Sequence, residues 1–253
     1  MNKKEKSFVL SIFLFVLILV YTPFCVFILE KCGVNINNLN YNTKVIINFL
    51  INISLMLILF LIYRKDLKEE AKDYKANFKK YFKFGLKIWL IGVGLMFISN
   101  IIIQLIYKND ATNEIMVQEM IQKAPLYMIF STAIFSPFVE EIIFRKSIKN
   151  FIDNNFIYIV ISGLAFGFMH TLANPTNILE LLYIIPYGAV GACFAYTYSK
   201  TKNIYVSMTF HSLHNLIIVL YSIIIYTKMG ILWQQEWLKT KAKEKKQQKK
   251  IKR

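Results

Sequence analysis

Long blocks of apolar residues, separated by short polar connections, run along most of the chain. Within each block the apolar residues are continuous rather than confined to one helical face, and a run of about 20 such residues is long enough to cross a bilayer. The blocks predict transmembrane spans at 8–29, 44–63, 84–107, 125–144, 156–173, 178–198 and 203–227. We therefore expect an all-α fold, a polytopic transmembrane helix bundle of seven to eight spans, forming one integral membrane domain over residues 1–253.

The composition agrees with a membrane protein. Hydrophobic residues make up 56% of the chain and charged residues 18%, whereas a soluble domain is about 45–50% apolar and about 25% charged. The first apolar block follows Lys3, Lys4 and Lys6 and is too long for the core of a cleavable signal peptide, so it predicts a membrane anchor. The many Lys, Asn and Ile residues are typical of an AT-rich bacterial genome, and the expected location is the bacterial plasma membrane.

The net charge of +16 comes mainly from two segments. The connection 64–87 holds nine Lys and Arg residues against four acidic residues, and the tail 239–253 holds nine against one. Basic clusters beside spans are typical of cytoplasmic segments that contact anionic lipid headgroups, so a nucleic-acid partner is not expected. The N-terminus and residues 64–83 are then predicted inside and the acidic connection 108–123 outside. A cytoplasmic tail requires an eighth crossing.

The stretch SPFVEEIIFR, residues 136–145, places charges inside the fourth apolar block. Each helical residue turns about 100°, so Glu141 and Arg145 lie on one face and can form an ion pair. Glu140 points away from that pair and remains free for water, a metal or a proton. The alternative is that the helix ends near residue 139 and that all three charges lie among lipid headgroups.

All three histidines of the chain, His170, His211 and His214, also lie in or beside apolar blocks. His211 and Asn215 are four residues apart and share a helical face, and His214 is offset from His211 by about 60°. Polar groups inside a membrane normally face the bundle interior or a wet cavity. We therefore expect these residues and the adjacent glutamates to form one functional site.

The chemistry open to such a set is limited. A carboxylate beside histidines can activate water, either directly as a general base or through a bound Zn²⁺. Glu140, His170 and His211 could supply three zinc ligands, although a glutamate that holds a metal tightly cannot easily be the base. Asn215 with a neighbouring histidine offers donors for a developing oxyanion. The residues predict water attacking an amide carbonyl inside a partly dehydrated cavity, with the water activated either by the carboxylate or by a bound Zn²⁺.

Three motifs resemble those of a known family. EEIIFR looks like the EExxxR motif, FGFMH (Phe166 to His170) like FxxxH, and HSLHN (His211 to Asn215) like HxxxN. In this order, on three apolar segments, they resemble the CPBP family of intramembrane proteases. That family includes the eukaryotic CAAX prenyl endopeptidases and the bacterial Abi-type proteins associated with bacteriocin self-immunity. The resemblance covers roughly residues 125–220 and implies a CAAX-protease-like fold of about eight transmembrane helices, with a catalytic cavity that opens toward the cytoplasm.

The resemblance also implies residue roles. By motif position Glu140 activates water with help from His170, and His211 and Asn215 stabilise the oxyanion. The residues expected to support this site without reacting are Glu141, Arg145, His214 and Phe166. We prefer a metal-free, glutamate-dependent mechanism, although we expect the family to be labelled as metalloproteases, and the zinc alternative stays open.

Depth in the membrane poses a difficulty for this site. With the predicted spans, Glu140 and His211 fall in the cytoplasmic half, while His170 falls nearer the outer half. These side chains can meet only if the helix of His170 starts late or tilts, or if the helix of Glu140 continues past Arg145.

The predicted function is an intramembrane endopeptidase. A prenylated substrate is not expected in a bacterium, so the substrate would be a membrane-associated peptide or protein, such as the precursor of a secreted signalling peptide or of a bacteriocin. One alternative is a non-catalytic membrane protein of the same fold, an immunity factor or scaffold that binds a peptide or partner. Another is a transporter or proton channel, which would need titratable groups across the full depth of the membrane.

Overall fold

The computed structural model describes residues 2–172, 175 and 177–251, and over these residues the regular structure is helical, with no strand. The predicted all-α helix bundle is therefore confirmed. Short 3₁₀ turns cover Ile36–Asn38 and Ile178–Tyr183. In chain order the helices are α1 Lys3–Lys31, α2 Tyr41–Ala76, α3 Phe78–Ile106, α4 Thr112–Lys123, α5 Pro125–Ser147, α6 Asn155–Thr171, α7 Ile184–Thr201 and α8 Ile204–Ile251.

Six of the described helices are long and apolar enough to cross a membrane, so the multi-pass prediction is confirmed. The predicted count of seven to eight spans is wrong by this measure, and the predicted span 156–173 accounts for the difference. Its helix, α6, has 17 residues, which rise about 25 Å, less than the hydrocarbon thickness of about 30 Å. Helix α8 runs on into the basic tail 239–253, of which residues 252–253 lie outside the described part of the chain.

Asparagine side chains fix where several helices begin. The side chain of Asn2 accepts a hydrogen bond from the backbone N–H of Glu5, and the Glu5 side chain accepts one from Asn2 in return. Asn40 caps α2 through the N–H of Thr43, and Asn154 caps α6. A capping side chain satisfies backbone donors that have no partner within the helix. These polar residues therefore mark the ends of apolar helices.

Helix α5 is irregular in the region of the adjacent glutamates. Two π-helical segments, Ser131–Phe135 and Glu141–Ser147, flank the α-helical turn Ser136–Glu140. Such bulges occur frequently at functional sites. The helix also continues past Arg145, which is the arrangement that lets the motif residues meet in depth. The alternative of a helix that ends near residue 139 is therefore wrong.

Helices α6 and α7 pack with their backbones in near contact. The small-xxx-small spacing of Gly163 and Gly167 predicts such an approach. A Cβ atom added at Gly167 would lie 2.6 Å from the carbonyl oxygen of Ile184, and one added at Gly163 would lie 2.9 Å from that of Gly188. The two glycines thus allow α7 to hold α6, and with it His170, against the bundle.

The two ends of the bundle are identified by the side-chain contacts found at each. At one end Lys4 pairs with Asp153, Lys146 pairs with Glu70 of the 64–87 connection, and Asn203 donates to the Glu70 carbonyl at 2.7 Å. We call this the basic end. Helix α4 follows the far end of α3, and its Met120 contacts Tyr41 at the start of α2. Helix α4 therefore lies at the end opposite to the basic end.

Candidate active site

A cavity of about 220 Å³ lies between α4 and the middle of the bundle. Its walls come from α3, α5, α7 and α8 and from the two shorter helices α4 and α6, so it is enclosed by distant parts of the sequence. Six of the predicted site residues line it: Glu140, Phe166, His170, His211, His214 and Asn215. The structure thus brings residues of all three motifs to one place.

Glu140 stands between two imidazole rings. Its Oε2 atom lies 3.7 Å from Nε2 of His211 and 4.0 Å from Nε2 of His170. The same oxygen is buried and has no hydrogen-bond partner within the protein. A buried carboxylate oxygen without a partner is costly unless a water or ligand satisfies it. The geometry therefore indicates a position for a polar group between Glu140 and the two rings.

Glu141 points into the core instead of the cavity. It is completely buried, and its Oε2 lies 3.3 Å from Nε of Arg145, so the predicted pair is present. Its Oε1 lies 3.0 Å from Nδ1 of His211. A carboxylate only accepts hydrogen bonds, so Nδ1 of His211 carries the hydrogen. Glu141 thus balances a buried cation and also orients a ring of the site.

Arg145 is fully buried, and it is stabilised by the ion pair with Glu141, by hydrogen bonds from one terminal nitrogen and by an aromatic ring, although its Nε and second terminal nitrogen have no hydrogen-bond partner within the protein. One terminal nitrogen donates to Oγ of Ser162 at 2.9 Å, and the guanidinium lies 4.8 Å from the ring centroid of Phe166. Ser162 in turn donates to the carbonyl oxygen of Phe144 at 2.6 Å, within the second π segment. A buried ion is tolerated only with this degree of pairing and hydrogen bonding.

His170 is held by its own helix and by two aromatic rings. Its Nδ1 lies 2.9 Å from the carbonyl oxygen of Phe166, so Nδ1 donates and Nε2 is left facing Glu140. The imidazole centroid lies 4.3 Å from that of Phe166 and 4.9 Å from that of Tyr187, which stacks on it. These contacts fix the plane of the ring as well as its tautomer.

Asn215 and His214 occupy the wall of the cavity on α8. Asn215 donates through Nδ2 to the carbonyl oxygen of Thr132 at 2.8 Å, within the first π segment. An amide nitrogen has two hydrogens, so one remains for a ligand. His214 accepts a hydrogen bond at Nδ1 from the indole Nε1 of Trp89, at 3.4 Å. Both side chains are therefore oriented by groups outside the three motifs.

Sequence reasoning missed several residues that shape this site. One signal was available: Ser162, Phe166 and His170 are spaced by four residues, which places them on one helical face. Trp89 and Thr132 gave no such signal, because each is an ordinary residue of an apolar block. Other polar cavity residues that were missed include Asn113, Glu114 and Tyr187.

The zinc alternative can be compared with the positions of the donor atoms. Among the residues that the structure describes, no group of three or more His, Cys, Asp or Glu side chains is placed to hold a metal ion. The alternative ligand set Glu140, His170 and His211 nevertheless has the right donor chemistry, and its carboxylate oxygen lies 3.7 and 4.0 Å from the two imidazole nitrogens. The choice between a metal-free site and a zinc site therefore stays a prediction.

The cavity approaches the end of the bundle that carries α4. Val139, Ile142 and Phe144, in the part of α5 that leads to the basic end, are at most 1% exposed and do not line the cavity. The charge distribution predicts α4 outside the cell, whereas the family resemblance implies a cavity that opens toward the cytoplasm. These two expectations cannot both be right, because cavity and α4 share one end of the bundle.

The motif region matches a family model. The model of the Type II CAAX prenyl endopeptidase Rce1-like family matches residues 122–217. This segment contains all three motifs and every residue assigned to the candidate site from the sequence. The resemblance to the CAAX-protease family is therefore confirmed for this segment. No solved structure matches the chain.

Relatives among known proteins cover similar segments. A protein named "Putative membrane peptidase YdiL" from Bacillus subtilis (strain 168) is 33% identical over 114 residues, which is 44% of this chain and 43% of that protein. UPF0177 protein YvdC from Lactococcus lactis subsp. lactis (strain IL1403) is 30% identical over 144 residues, 54% of this chain and 52% of that protein. UPF0177 protein YaiH of the same strain is 28% identical over 109 residues, 43% of each. The chain thus spans about half the length of these relatives.

Proposed function

We propose that this multi-pass membrane protein, whose motif region matches a CAAX-endopeptidase family model, is an intramembrane endopeptidase that uses Glu140 to activate water. One observation carries the proposal. The Oε2 atom of Glu140 is buried without a partner, at 3.7 and 4.0 Å from two imidazole nitrogens, on the wall of a cavity. A carboxylate in that position is suited to hold and deprotonate a water molecule.

The tautomers of the two histidines explain how the water would be oriented. Because His170 and His211 each donate through Nδ1, their neutral rings present a lone pair at Nε2. A water molecule between them and Glu140 donates one hydrogen to the carboxylate and the other to an imidazole. Its oxygen lone pair is then free to attack a carbonyl carbon that enters the cavity. This arrangement supports the assignment of Glu140 as base and His170 as its assistant.

The reaction then proceeds by addition and elimination. As the water oxygen bonds to the amide carbon, Glu140 takes the proton and the carbonyl oxygen becomes an oxyanion. Asn215 supplies the amide hydrogen that Thr132 leaves free, and His211 contributes when its ring is protonated. Glu140 then returns the proton to the departing nitrogen as the C–N bond breaks. Water and one peptide bond become a carboxylic acid and an amine, with no other reactant.

The substrate class follows from the position of the cavity. It lies inside a bundle whose outer helices expose large apolar side chains such as Phe97 and Leu105, a surface typical of contact with lipid. A substrate must therefore present its peptide bond at or within the membrane. We propose a membrane-associated peptide or protein, without a prenyl group.

The test is cleavage of a fluorogenic peptide that carries an apolar anchor, by the purified protein in detergent. A Glu140→Gln variant removes the base while preserving the shape of the side chain, and we expect a loss of about 10²–10⁴-fold in turnover. The matched control is Glu119→Gln on α4, where the carboxylate is exposed and paired with Lys123. This control should cleave at the parent rate.

Three outcomes separate the alternatives. Full activity in Glu140→Gln would overturn the mechanism. Binding of the peptide by a parent protein that never cleaves it would favour the non-catalytic scaffold. Loss of parent activity with a chelator, restored by Zn²⁺, would keep the protease and replace the metal-free version with a zinc site on Glu140, His170 and His211.

A further inference from the structure

We infer that His214, at a variable position of the HxxxN motif, donates a hydrogen bond from Nε2 to the oxyanion beside Asn215. The inference rests on the proposed peptidase function and adds to it a direct contact between His214 and the substrate oxyanion. His214 lies three residues after His211 and next to Asn215, and its ring lines the same cavity. Its role depends on where its proton sits, which a neighbouring helix decides.

Trp89 of α3 fixes the tautomer of His214. Its indole Nε1 lies 3.4 Å from Nδ1 of His214, with the rings edge to face at 82°. An indole N–H can only donate, so Nδ1 of His214 must offer a lone pair. A protonated imidazole has no lone pair on either nitrogen. The ring is therefore neutral, and its single hydrogen is on Nε2.

The other two histidines have the opposite arrangement. His211 donates through Nδ1 to the Glu141 carboxylate, and His170 donates through Nδ1 to the Phe166 carbonyl. When neutral, both rings show Nε2 to Glu140 as acceptors. The cavity thus contains two imidazoles that accept, beside the base, and one that donates. Water activation needs acceptors, whereas a developing oxyanion needs donors.

The donor histidine lies beside the other donor of the site. His214 and Asn215 are consecutive on α8, both line the cavity, and each already has its second polar atom engaged, by Trp89 and by Thr132. What remains on each is one N–H. These two hydrogens form an oxyanion site in which both side chains are neutral. His211, by contrast, could donate from Nε2 only after its ring gains a proton.

Nuclear magnetic resonance of ¹⁵N-histidine-labelled protein tests the tautomers without any substrate. The chain has only three histidines, so each ring can be assigned by substituting it in turn. We expect a pyridine-type Nδ1 and a pyrrole-type Nε2 for His214, and the reverse for neutral His170. In Trp89→Phe the His214 pattern should shift toward a mixture of tautomers. A pyrrole-type Nδ1 at His214 in the parent protein would overturn the inference.

Kinetics test the contact with the oxyanion. His214→Leu should lower turnover of the fluorogenic peptide by about 10²–10³-fold with little change in KM, because one oxyanion donor is lost. His214→Gln keeps an N–H at the position of Nε2 and should recover most of that loss. Phe97→Leu, an exposed aromatic substitution on the same helix as Trp89, should match the parent protein.

A peptide phosphinate, which mimics the tetrahedral intermediate, separates contact from packing. In His214→Leu the inhibition constant of the phosphinate should rise by the same factor by which kcat/KM falls. In His214→Gln it should return toward the value of the parent protein. Equal losses in the Leu and Gln variants, or an unchanged phosphinate affinity in the Leu variant, would overturn the role of His214 and leave the peptidase intact. A parent protein that neither cleaves the peptide nor binds the phosphinate would overturn both proposals.

Discussion

The two halves of the bundle use the membrane differently. In α1, α2 and α3 the most apolar windows are 6%, 22% and 11% buried, whereas in α5 and in the span that contains α7 they are 39% buried; the window of α8 is 22% buried, as in α2. The first half, α1 to α3, therefore turns most of its surface outward. In the second half α5 and α7 turn inward, and α5 carries enclosed charged groups, among them Glu141, Arg145 and Lys146, each at most 4% exposed.

This difference shows where the sequence is constrained by chemistry. In the second half the interior contains ions that need specific partners, so a substitution there removes a partner as well as volume. In the first half a lipid-facing residue needs only to be apolar. The polar contacts between the halves include Trp89 with His214, Glu70 with Lys146, and Asn52 with Tyr127.

The largest effect on stability is expected for Arg145→Ala. The substitution leaves the fully buried Glu141 without its cation, and breaking a buried pair in this way typically costs about 3–5 kcal/mol. We expect a marked fall in the melting temperature in detergent and lower accumulation in the membrane. A melting temperature equal to that of the parent would show that the Glu141 carboxylate does not depend on Arg145 for its stability, as an exposed charge would not.

The matched control for this variant is Lys123→Ala on α4. Lys123 and Glu119 have the same spacing of four residues, but both side chains are more than half exposed. Exposed pairs of this kind typically contribute about 0.3–0.5 kcal/mol. The contrast between the two variants therefore measures burial, because the ion-pair spacing is the same.

Asn215→Ala should affect catalysis more than stability. The amide donates to Thr132 and offers its remaining hydrogen to the cavity. Loss of one oxyanion donor typically costs about 10²–10³-fold in turnover, while the lost interhelical hydrogen bond averages about 0.6 kcal/mol in a membrane protein. Peptide cleavage and melting curves measure the two effects. A variant that melts far below the parent would instead make Asn215 a structural residue.

A smaller effect is expected where α6 meets α7. A Cβ atom in Gly167→Ala would lie 2.6 Å from the Ile184 carbonyl oxygen, and such overpacking typically costs about 1–3 kcal/mol. Gly94→Ala in α3 is the control, because no atom lies within 4 Å of the added methyl group. The control should melt at or above the parent temperature, since Ala is the better helix former. Equal melting of both variants would contradict the close α6–α7 contact.

Much of the architecture could be predicted from the sequence because hydrophobic blocks mark the parts of the helices that can cross a bilayer. The Glu141–Arg145 pair was also predictable, since helical spacing alone places the two residues on one face. Span counting was not reliable for α6, because its apolar block extended beyond the helix, which ends at Thr171. An apolar sequence predicts that a residue is surrounded by lipid or protein. It does not predict where the helix ends, because that depends on backbone geometry.

The supporting contacts of the site could not be predicted for a different reason. Glu141 reaches His211 across 70 positions, and Trp89 reaches His214 across 125. No periodicity within one helix contains such information. The π segments of α5 are equally hidden, yet they place the carbonyl oxygens of Thr132 and Phe144 where Asn215 and Ser162 can bind them.

The smallest change in stability is expected for the contact between the two halves at the hydrogen bond between α2 and α5. Asn52 in α2 is 8% exposed and donates to the Tyr127 hydroxyl at 3.2 Å. A double-mutant cycle with Asn52→Ala and Tyr127→Phe should give a coupling of about 0.6 kcal/mol, the average for polar pairs inside membrane proteins. Unfolding in detergent measures it. Because this hydrogen bond joins two neutral side chains that do not line the cavity, neither variant should reduce peptide cleavage by more than its small loss of stability. A coupling of several kcal/mol, or loss of activity with a normal melting curve, would show that the first half takes part in the chemistry instead of only enclosing it.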